Sequence, residues 1–359
     1  METGAEGTNA VADATLWMPP QASTVAEGVD DLYYGIYWIC VFFFLLITFA
    51  VVYLVAKYRR RDADQLATSQ IAHSTKIEIL WTGIPTILVL GIFVWGFNVF
   101  MDLHVAPVDA MEIKATAQKW SWSFKYSNGD QTPGELFVPE GKPVKLVMNS
   151  KDVIHSFYVP AFRVKQDVVP GRYSSVWFEA KANTVAEYWK KYPDAKADFD
   201  AMKAAIAKKQ PAPEPKASMP MLPQYQVYCT EYCGTSHSAM LATVVVLPQD
   251  EYELRMKKTG FGPQDPIARA KKVYDGLCKS CHTLDGNRLV GPSFKGLYGR
   301  MEKITGMDPV KVDENYIRES ILEPNAKLVE GYAGGMPSFK GQLSDDQIDD
   351  LISWMKTLK

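Results

Sequence analysis

Cys229-Thr-Glu-Tyr-Cys233-Gly-Thr-Ser-His237-Ser-Ala-Met240, residues 229–240, brings two thiols, an imidazole and a thioether into one short run. Soft sulfur together with imidazole selects copper over hard cations. Zinc could use the two cysteines and the histidine, but it has little use for methionine. A C-x-x-x-C copper carrier would not need the histidine and methionine that follow the second thiol. The set as it stands suffices for one copper. Two coppers bridged by both thiolates would need a second imidazole. His155, in Asp152-Val-Ile-His155-Ser-Phe157 at the end of a strand, can supply it. His73 and His104 fall in a basic loop and just past an apolar run, which makes them poor candidates by position.

Working outward from this run, the pattern between 104 and 249 is mostly β. MEIKATA (111–117), WSWSFKY (120–126), PVKLVMNS (143–150), YSSVWFEA (173–180), QYQVYC (224–229) and MLATVVVL (240–247) are short, β-branched and aromatic, with Gly, Pro and Asn between them. SNGD at 127–130 signals a hairpin turn. Such a series predicts a small sandwich or barrel. Ala- and Lys-rich sequence of helical character interrupts it and runs into PAPEP at 211–215, so an inserted surface helix with a stiff proline stretch is expected at about 183–222.

Two uncharged runs precede the β region, YYGIYWICVFFFLLITFAVVYLVA (33–56) and ILWTGIPTILVLGIFVWGFNVFM (79–101). At about 1.5 Å per residue each can cross a hydrocarbon core of roughly 30 Å. Pro85 is tolerable there because neighbouring groups can satisfy the freed carbonyl. Cys40 reads as an apolar filler. Residues 1–32 hold no Lys or Arg, whereas Lys57, Arg59, Arg60, Arg61 and Lys76 lie between the spans. The excess of positive charge puts that loop in the cytoplasm and both termini outside. Residues 1–32 show no basic stretch followed by an apolar one of the kind that marks a cleavable signal.

After a charged segment, 250–265, the pattern turns helical. Cys278-Lys-Ser-Cys281-His282 is C-x-x-C-H, the attachment signature for c-type haem. Two thiols at this spacing reach two vinyl groups of one porphyrin, and the adjacent histidine lies beneath the iron. Met336, in Gly334-Gly335-Met336-Pro337, is the expected sixth ligand, with Met301 and Met307 as competitors. Gly291-Pro292 follows the histidine at a distance where a carbonyl could accept its Nδ1–H. Asp265 and Pro266 start one helix, and Ser344 starts the last, with Ile348, Leu351, Trp354 and Leu358 on one stripe.

The composition agrees with a membrane-anchored, multidomain protein. A net charge of −2 over 359 residues excludes nucleic acid as the main partner. With 22% charged residues the chain is not a polytopic membrane protein, and with 47% hydrophobic residues it is not disordered.

Residues 33–247 resemble subunit II of haem–copper cytochrome c oxidases, a helical hairpin followed by an all-β cupredoxin-like Greek-key barrel. The motif C-x-E-x-C-G-x-x-H-S-x-M is complete. Residues 266–359 resemble class I cytochrome c, an all-α domain, on the C-x-x-C-H, Gly-Pro and Gly-Met-Pro motifs and the two terminal helices. The whole chain is similar to the subunit II of a caa-type oxidase. The resemblance implies a binuclear CuA centre with Cys229 and Cys233 as bridging thiolates. His155 and Met240 would complete one copper, and His237 and the Glu231 carbonyl the other. It also implies a magnesium ion on Glu231 at the subunit I interface, an aromatic electron-input patch at Trp120 and Trp122, and a proton-path mouth near Glu78. Ser121 departs from the family, where tyrosine is common. The bland reading of Glu78 is an interfacial carboxylate, and that of Trp122 is core filling. The expected domains are an exported segment (1–32), a hairpin (33–103), the CuA domain (104–249), a linker (250–265) and the cytochrome domain (266–359). The implied partners are subunits I and III, the bilayer and an external donor, either cytochrome c or a quinol-oxidising complex. The implied place is the bacterial inner membrane, with both termini and both soluble domains on the periplasmic side. No catalytic residue is expected in this chain: electrons would pass from haem c through CuA to haem a of subunit I. A CuA subunit of a nitric oxide reductase and a membrane-anchored redox or copper sensor are the other readings that the motifs leave open.

Overall fold

The computed structural model describes residues 14–62, 64, 65, 69, 71, 73–208, 210, 216, 217, 219–259 and 265–359. PAPEP at 211–215 and residues 260–264 of the expected linker lie outside the described residues, as do residues 1–13 of the N-terminal segment. The chain divides into two units, Val25–Val105 and Met1–Thr24 with Ala106–Lys359.

The first unit is a pair of helices, α1 (Ala26–Tyr58) and α2 (Thr75–His104). Both extend beyond the uncharged runs because helix hydrogen bonding continues into the polar flanks. Their 33 and 30 residues exceed what a bilayer core requires. Small residues let them approach. A Cβ at Gly35 would stand 2.6 Å from the Trp95 ring, Gly28 faces Val99, and Gly96 faces Leu32. Pro85 lies inside α2 without ending it.

In the second unit, ten strands among the described residues form the β domain: β1 (Met111–Gln118), β2 (Ser121–Lys125), β3 (Gln131–Pro133), β4 (Glu135–Pro139), β5 (Pro143–Ser150), β6 (His155–Val159), β7 (Val164–Val168), β8 (Ser174–Glu179), β9 (Gln224–Cys229) and β10 (Leu241–Leu247). They make two five-stranded sheets, β3-β2-β1-β5-β8 and β4-β10-β9-β6-β7. Strict alternation on β5 turns Val144, Leu146 and Met148 inward. Trp122, Phe124, Phe157 and Phe178 fill the space between the sheets.

The insertion is two helices rather than one, α3 (Thr184–Lys191) and α4 (Pro193–Ala207). Pro193 cannot continue α3, but it is well placed as the first residue of α4. The pair is packed, not merely solvated. Phe199 is buried against Trp189, and the Trp189 Nε1–H donates to the Met221 carbonyl. The expected linker also begins as structure, with α5 (Gln249–Leu254) continuing in a wider turn to Thr259. Burial of Tyr252 and the Glu251–Arg255 ion pair hold it there.

The C-terminal domain is built on α6 (Pro266–Val273), α7 (Glu314–Leu322) and α8 (Asp345–Met355). Asp265 accepts from the Ala268 N–H, and Ser344 with Gln347 forms a reciprocal cap. Ile348, Leu351 and Trp354 are buried. α6 and α8 are tied by the Arg269–Asp350 ion pair and the Tyr274–Trp354 ring contact. This domain touches the β domain directly. A Cβ on Gly134 would stand 2.8 Å from the Gly276 Cα, Lys272 pairs with Glu135, and the Lys151 ammonium donates to Gln342 Oε1.

Candidate metal and haem sites

The end of β9 and the start of β10 face each other, so Cys229 and Met240 meet at the mouth of one hairpin. The Cys229 N–H donates to the Met240 carbonyl. The residues between them fold into a short loop whose last turn carries His237. β6 pairs with β9, with Phe157 opposite Cys229, and this register delivers His155 from the far side. The donor atoms converge. Cys229 Sγ is 3.8 Å from Cys233 Sγ, 3.8 Å from His155 Nδ1 and 3.3 Å from the Glu231 carbonyl. Cys233 Sγ is 3.4 Å from His237 Nδ1 and 3.8 Å from Met240 Sδ. All six residues expected in this site therefore lie together, with two sulfurs at the centre and an imidazole on each side. A soft, mixed S/N donor set of this kind fits copper.

The electrostatics favour a bound cation. Two thiols this close cannot both ionise alone. The hydrogen bond from Cys233, with help from His155, holds the Cys229 thiol well below the ordinary thiol range against the opposing effect of burial. Cys233 is driven upward by its bond to Cys229 and by burial.

Asp152, quoted in the sequence but given no role there, turns out to be a positioning residue. Its carboxylate takes His155 Nε2 at 2.9 Å and the Lys119 N–H at 2.7 Å. Burial opposes its ionisation, but the bonds from His155, Lys119 and Val153 outweigh it and hold the carboxyl below its usual range. For His155 burial likewise acts to lower the pKa, and the Asp152 and Cys229 contacts overcome it. An acid three residues before a ligand histidine was the available signal.

In the C-terminal domain, Cys281, His282 and Met336 line one apolar cavity with Phe294, Ile321 and Met355. The His282 Nδ1–H donates to the Pro292 carbonyl at 2.7 Å, the partner expected from the sequence, and Phe294 stacks on the ring. Burial depresses the His282 pKa, with the Pro292 bond acting against it, so the ring is a neutral ligand. Burial raises the thiol of Cys278 to about 12. Met301 and Met307 are exposed and do not line the cavity. Gly334 and Gly335 both have positive φ, 78° and 105°, which explains the paired glycines before Met336. The cavity and its donors fit a covalently held haem.

Gly291 is also dictated by the site. A Cβ there would lie 2.4 Å from His282 Cε1. Gly291→Ala is expected to push the ring off the Pro292 carbonyl and to destabilise the domain by about 1–3 kcal/mol, the usual cost of overpacking. A lowered melting temperature of the haem absorbance in the purified complex checks this; an unchanged melt refutes it.

The two tryptophans part company. Trp120 stands against the copper loop, where its Nε1–H donates to the Cys233 carbonyl at 3.2 Å, and a Cβ at Gly234 would lie 3.0 Å from its ring. Trp122 is fully buried, edge-on to His155 and Phe157, and Trp120 itself is only 8% exposed. The alternation of β2 points Trp122 into the core. Tyr232, within the copper loop, is 77% exposed and packs on His237, a surface aromatic that the sequence reading passed over. The Glu231 side chain is exposed. Glu78 Oε1 accepts from the Ser74 N–H at the start of α2, a helix-capping contact.

Comparison with known proteins gives three matches along the chain. Residues 11–99 match the transmembrane domain of cytochrome c oxidase subunit II, residues 130–191 match its periplasmic domain, and residues 267–359 match cytochrome c. Cytochrome c oxidase subunit 2 of Alkalihalophilus pseudofirmus is 27% identical over 88% of this chain and 82% of its own length. The Synechocystis protein of the same name is 26% identical over 70% and 78%. A crystal structure of the periplasmic domain of subunit II from Bradyrhizobium japonicum covers 43% of this chain and 95% of its own, at 24% identity and a TM-score of 0.30. Two apolar helices that match a transmembrane domain thus lead into a two-sheet β domain, part of which matches a periplasmic domain, and then into a helical cytochrome c domain. In that order of parts the chain matches the two domains of cytochrome c oxidase subunit II, followed by a cytochrome c domain.

Proposed function

We propose that this electron-input subunit takes electrons from an external donor, cytochrome c or a quinol-oxidising complex, at haem c. They then pass through binuclear CuA to haem a of subunit I, where oxygen is reduced to water with proton translocation by the complex. The bound haem and copper pair supply the one-electron chemistry. Cys278 and Cys281 would hold the porphyrin through thioethers, with His282 and Met336 as the axial pair. Cys229 and Cys233 would bridge two coppers, with His155 and Met240 on one and His237 and the Glu231 carbonyl on the other. The exposed Glu231 carboxylate is free to reach a magnesium shared with subunit I. The proposed setting is a bacterial inner membrane, with the basic loop inside, both soluble domains outside, and subunit III as a further partner. Glu78, whose carboxylate accepts from the Ser74 N–H, would lie near the mouth of a proton path through subunit I.

One observation carries the reading. Lys119 lines the cavity that holds Cys278, Cys281 and His282, and its neighbour Trp120 donates to the Cys233 carbonyl. The haem cavity and the copper loop are thus joined by one residue step and one hydrogen bond. Stopped-flow reduction of the purified complex, followed at separate haem and copper wavelengths, tests it. Trp120→Ala is expected to leave haem c reduction unchanged and to slow copper reduction by about tenfold, equivalent to roughly 1.4 kcal/mol of barrier. Unchanged copper reduction in that variant would sink the relay.

A further inference from the structure

We propose that a phosphoryl oxoanion of about diphosphate size binds in a lysine-lined cleft between the outer face of the β3-β2-β1-β5-β8 sheet and the Gly341-Gln342 turn of the cytochrome domain, where it bridges the two domains. The cleft encloses about 330 Å³ and is lined by Lys114, Lys125 and Lys151 together with Thr116, Asn149 and Gln342. At about 30 Å³ per water, that is room for a multi-atom ligand rather than one small ion.

Register creates the charge. In the β1–β2 ladder Lys114 stands directly opposite Lys125, and like charges in that relation destabilise a sheet. Among the described residues neither lysine has an ion pair, and no acidic residue lines the cleft. The nearest acid on the same face of β1, Glu112, is in register with Lys145 on β5. Lys151, at the end of β5, reaches across to Gln342 Oε1 at 3.3 Å. Burial pulls its ammonium below the ordinary lysine range, a penalty that a bound anion would offset. Thr116 and Asn149 are paired in the β1–β5 ladder and add neutral polar groups beside the charge. Three cations, neutral polar neighbours and a wall from each domain make a receptor for a multivalent oxoanion. Occupancy would strengthen the domain contact already made by Lys151 and Gln342.

Such a group could come from a soluble diphosphate or from an anionic lipid headgroup, and the test separates the two. Labelled pyrophosphate is equilibrated by dialysis with the detergent-purified complex at fixed ionic strength. The wild type is compared with Lys114→Gln/Lys125→Gln and with Gln342→Ala. Lys114 and Lys125 are exposed and are not among the residues placed in the copper or haem sites, so haem and copper content serve as the check on folding. The expected result is saturable binding, weakened about tenfold or more in the double variant, as the loss of charge-assisted contacts requires. In a second arm the same proteins are placed in nanodiscs of phosphatidylglycerol or phosphatidylcholine. A rise in domain-contact protection against proteolysis that needs phosphatidylglycerol and both lysines, with no pyrophosphate binding, assigns the site to a headgroup. Absence of both effects in the wild type, or equal effects in the double variant, overturns the site. Neither readout involves electron transfer, so the relay proposed above stands or falls separately.

Discussion

Met336→Ala lowers the reduction potential of the haem held in the C-terminal domain by on the order of 0.1–0.2 V, a modest part of the roughly 0.8 V that axial ligands span. Thioether favours ferrous iron, and its loss removes that preference. The haem stays attached, because Cys278 and Cys281 are untouched. His282 also stays in place, because Pro292 and Phe294 hold its ring. The Met336 side chain is presented by a turn whose two glycines take left-handed conformations, and of Met301, Met307 and Met336 only Met336 lines the cavity. Potentiometric titration, together with loss of the methionine–iron charge-transfer band, checks the result. An unchanged band and potential would move the ligand to Met301 or Met307, despite exposures of 60% and 56%.

Cys233→Ser removes the copper centre as a whole rather than half of it. Copper per chain falls from two to none, and turnover with the external donor falls by about a hundredfold or more, roughly 2.7 kcal/mol or more in barrier terms. The cause is geometric. Cys233 Sγ lies 3.4 Å from His237 Nδ1 and 3.8 Å from both Met240 Sδ and Cys229 Sγ, so one sulfur meets three other donors. Serine offers a harder oxygen and a shorter reach. Metal analysis of the purified complex decides the matter. A wild-type protein with one copper would end the binuclear assignment, and a serine variant retaining two would end the bridging role.

The parts of the chain legible in the sequence are those fixed by local spacing. The C-x-x-C-H run, the copper loop and the two apolar helices carry their chemistry within a few turns of chain. His155 was reached by counting ligands, and β6, which carries it, was not among the strands that the alternation revealed. β3, β4, β6 and β7 are three to five residues long, too short for a period of two to stand out, whereas β2, equally short, is marked by the alternation of Trp120, Trp122, Phe124 and Tyr126 through it and its flanks. The insertion read as one helix because its composition hardly changes across Tyr192-Pro193, although the proline resets the hydrogen bonding there. The burial of Trp122 and the role of Asp152 depend on partners far away in the chain, which no window on the sequence can see. The same holds for the meeting of Gly134 with Gly276.

That glycine contact changes what the fusion accomplishes. Sixteen extended residues at 250–265 would let a tethered domain roam over roughly 50 Å and meet its acceptor at about millimolar effective concentration. A donor of that kind must search, and its delivery would slow as the solvent thickens. Backbone seated on backbone at Gly134 and Gly276, flanked by Lys272–Glu135, leaves no search to make. The internal step becomes a property of a fixed solid, indifferent to viscosity. Glycerol or sucrose should then retard only the arrival of the outside donor, while electrons already on the haem cross at an unaltered pace.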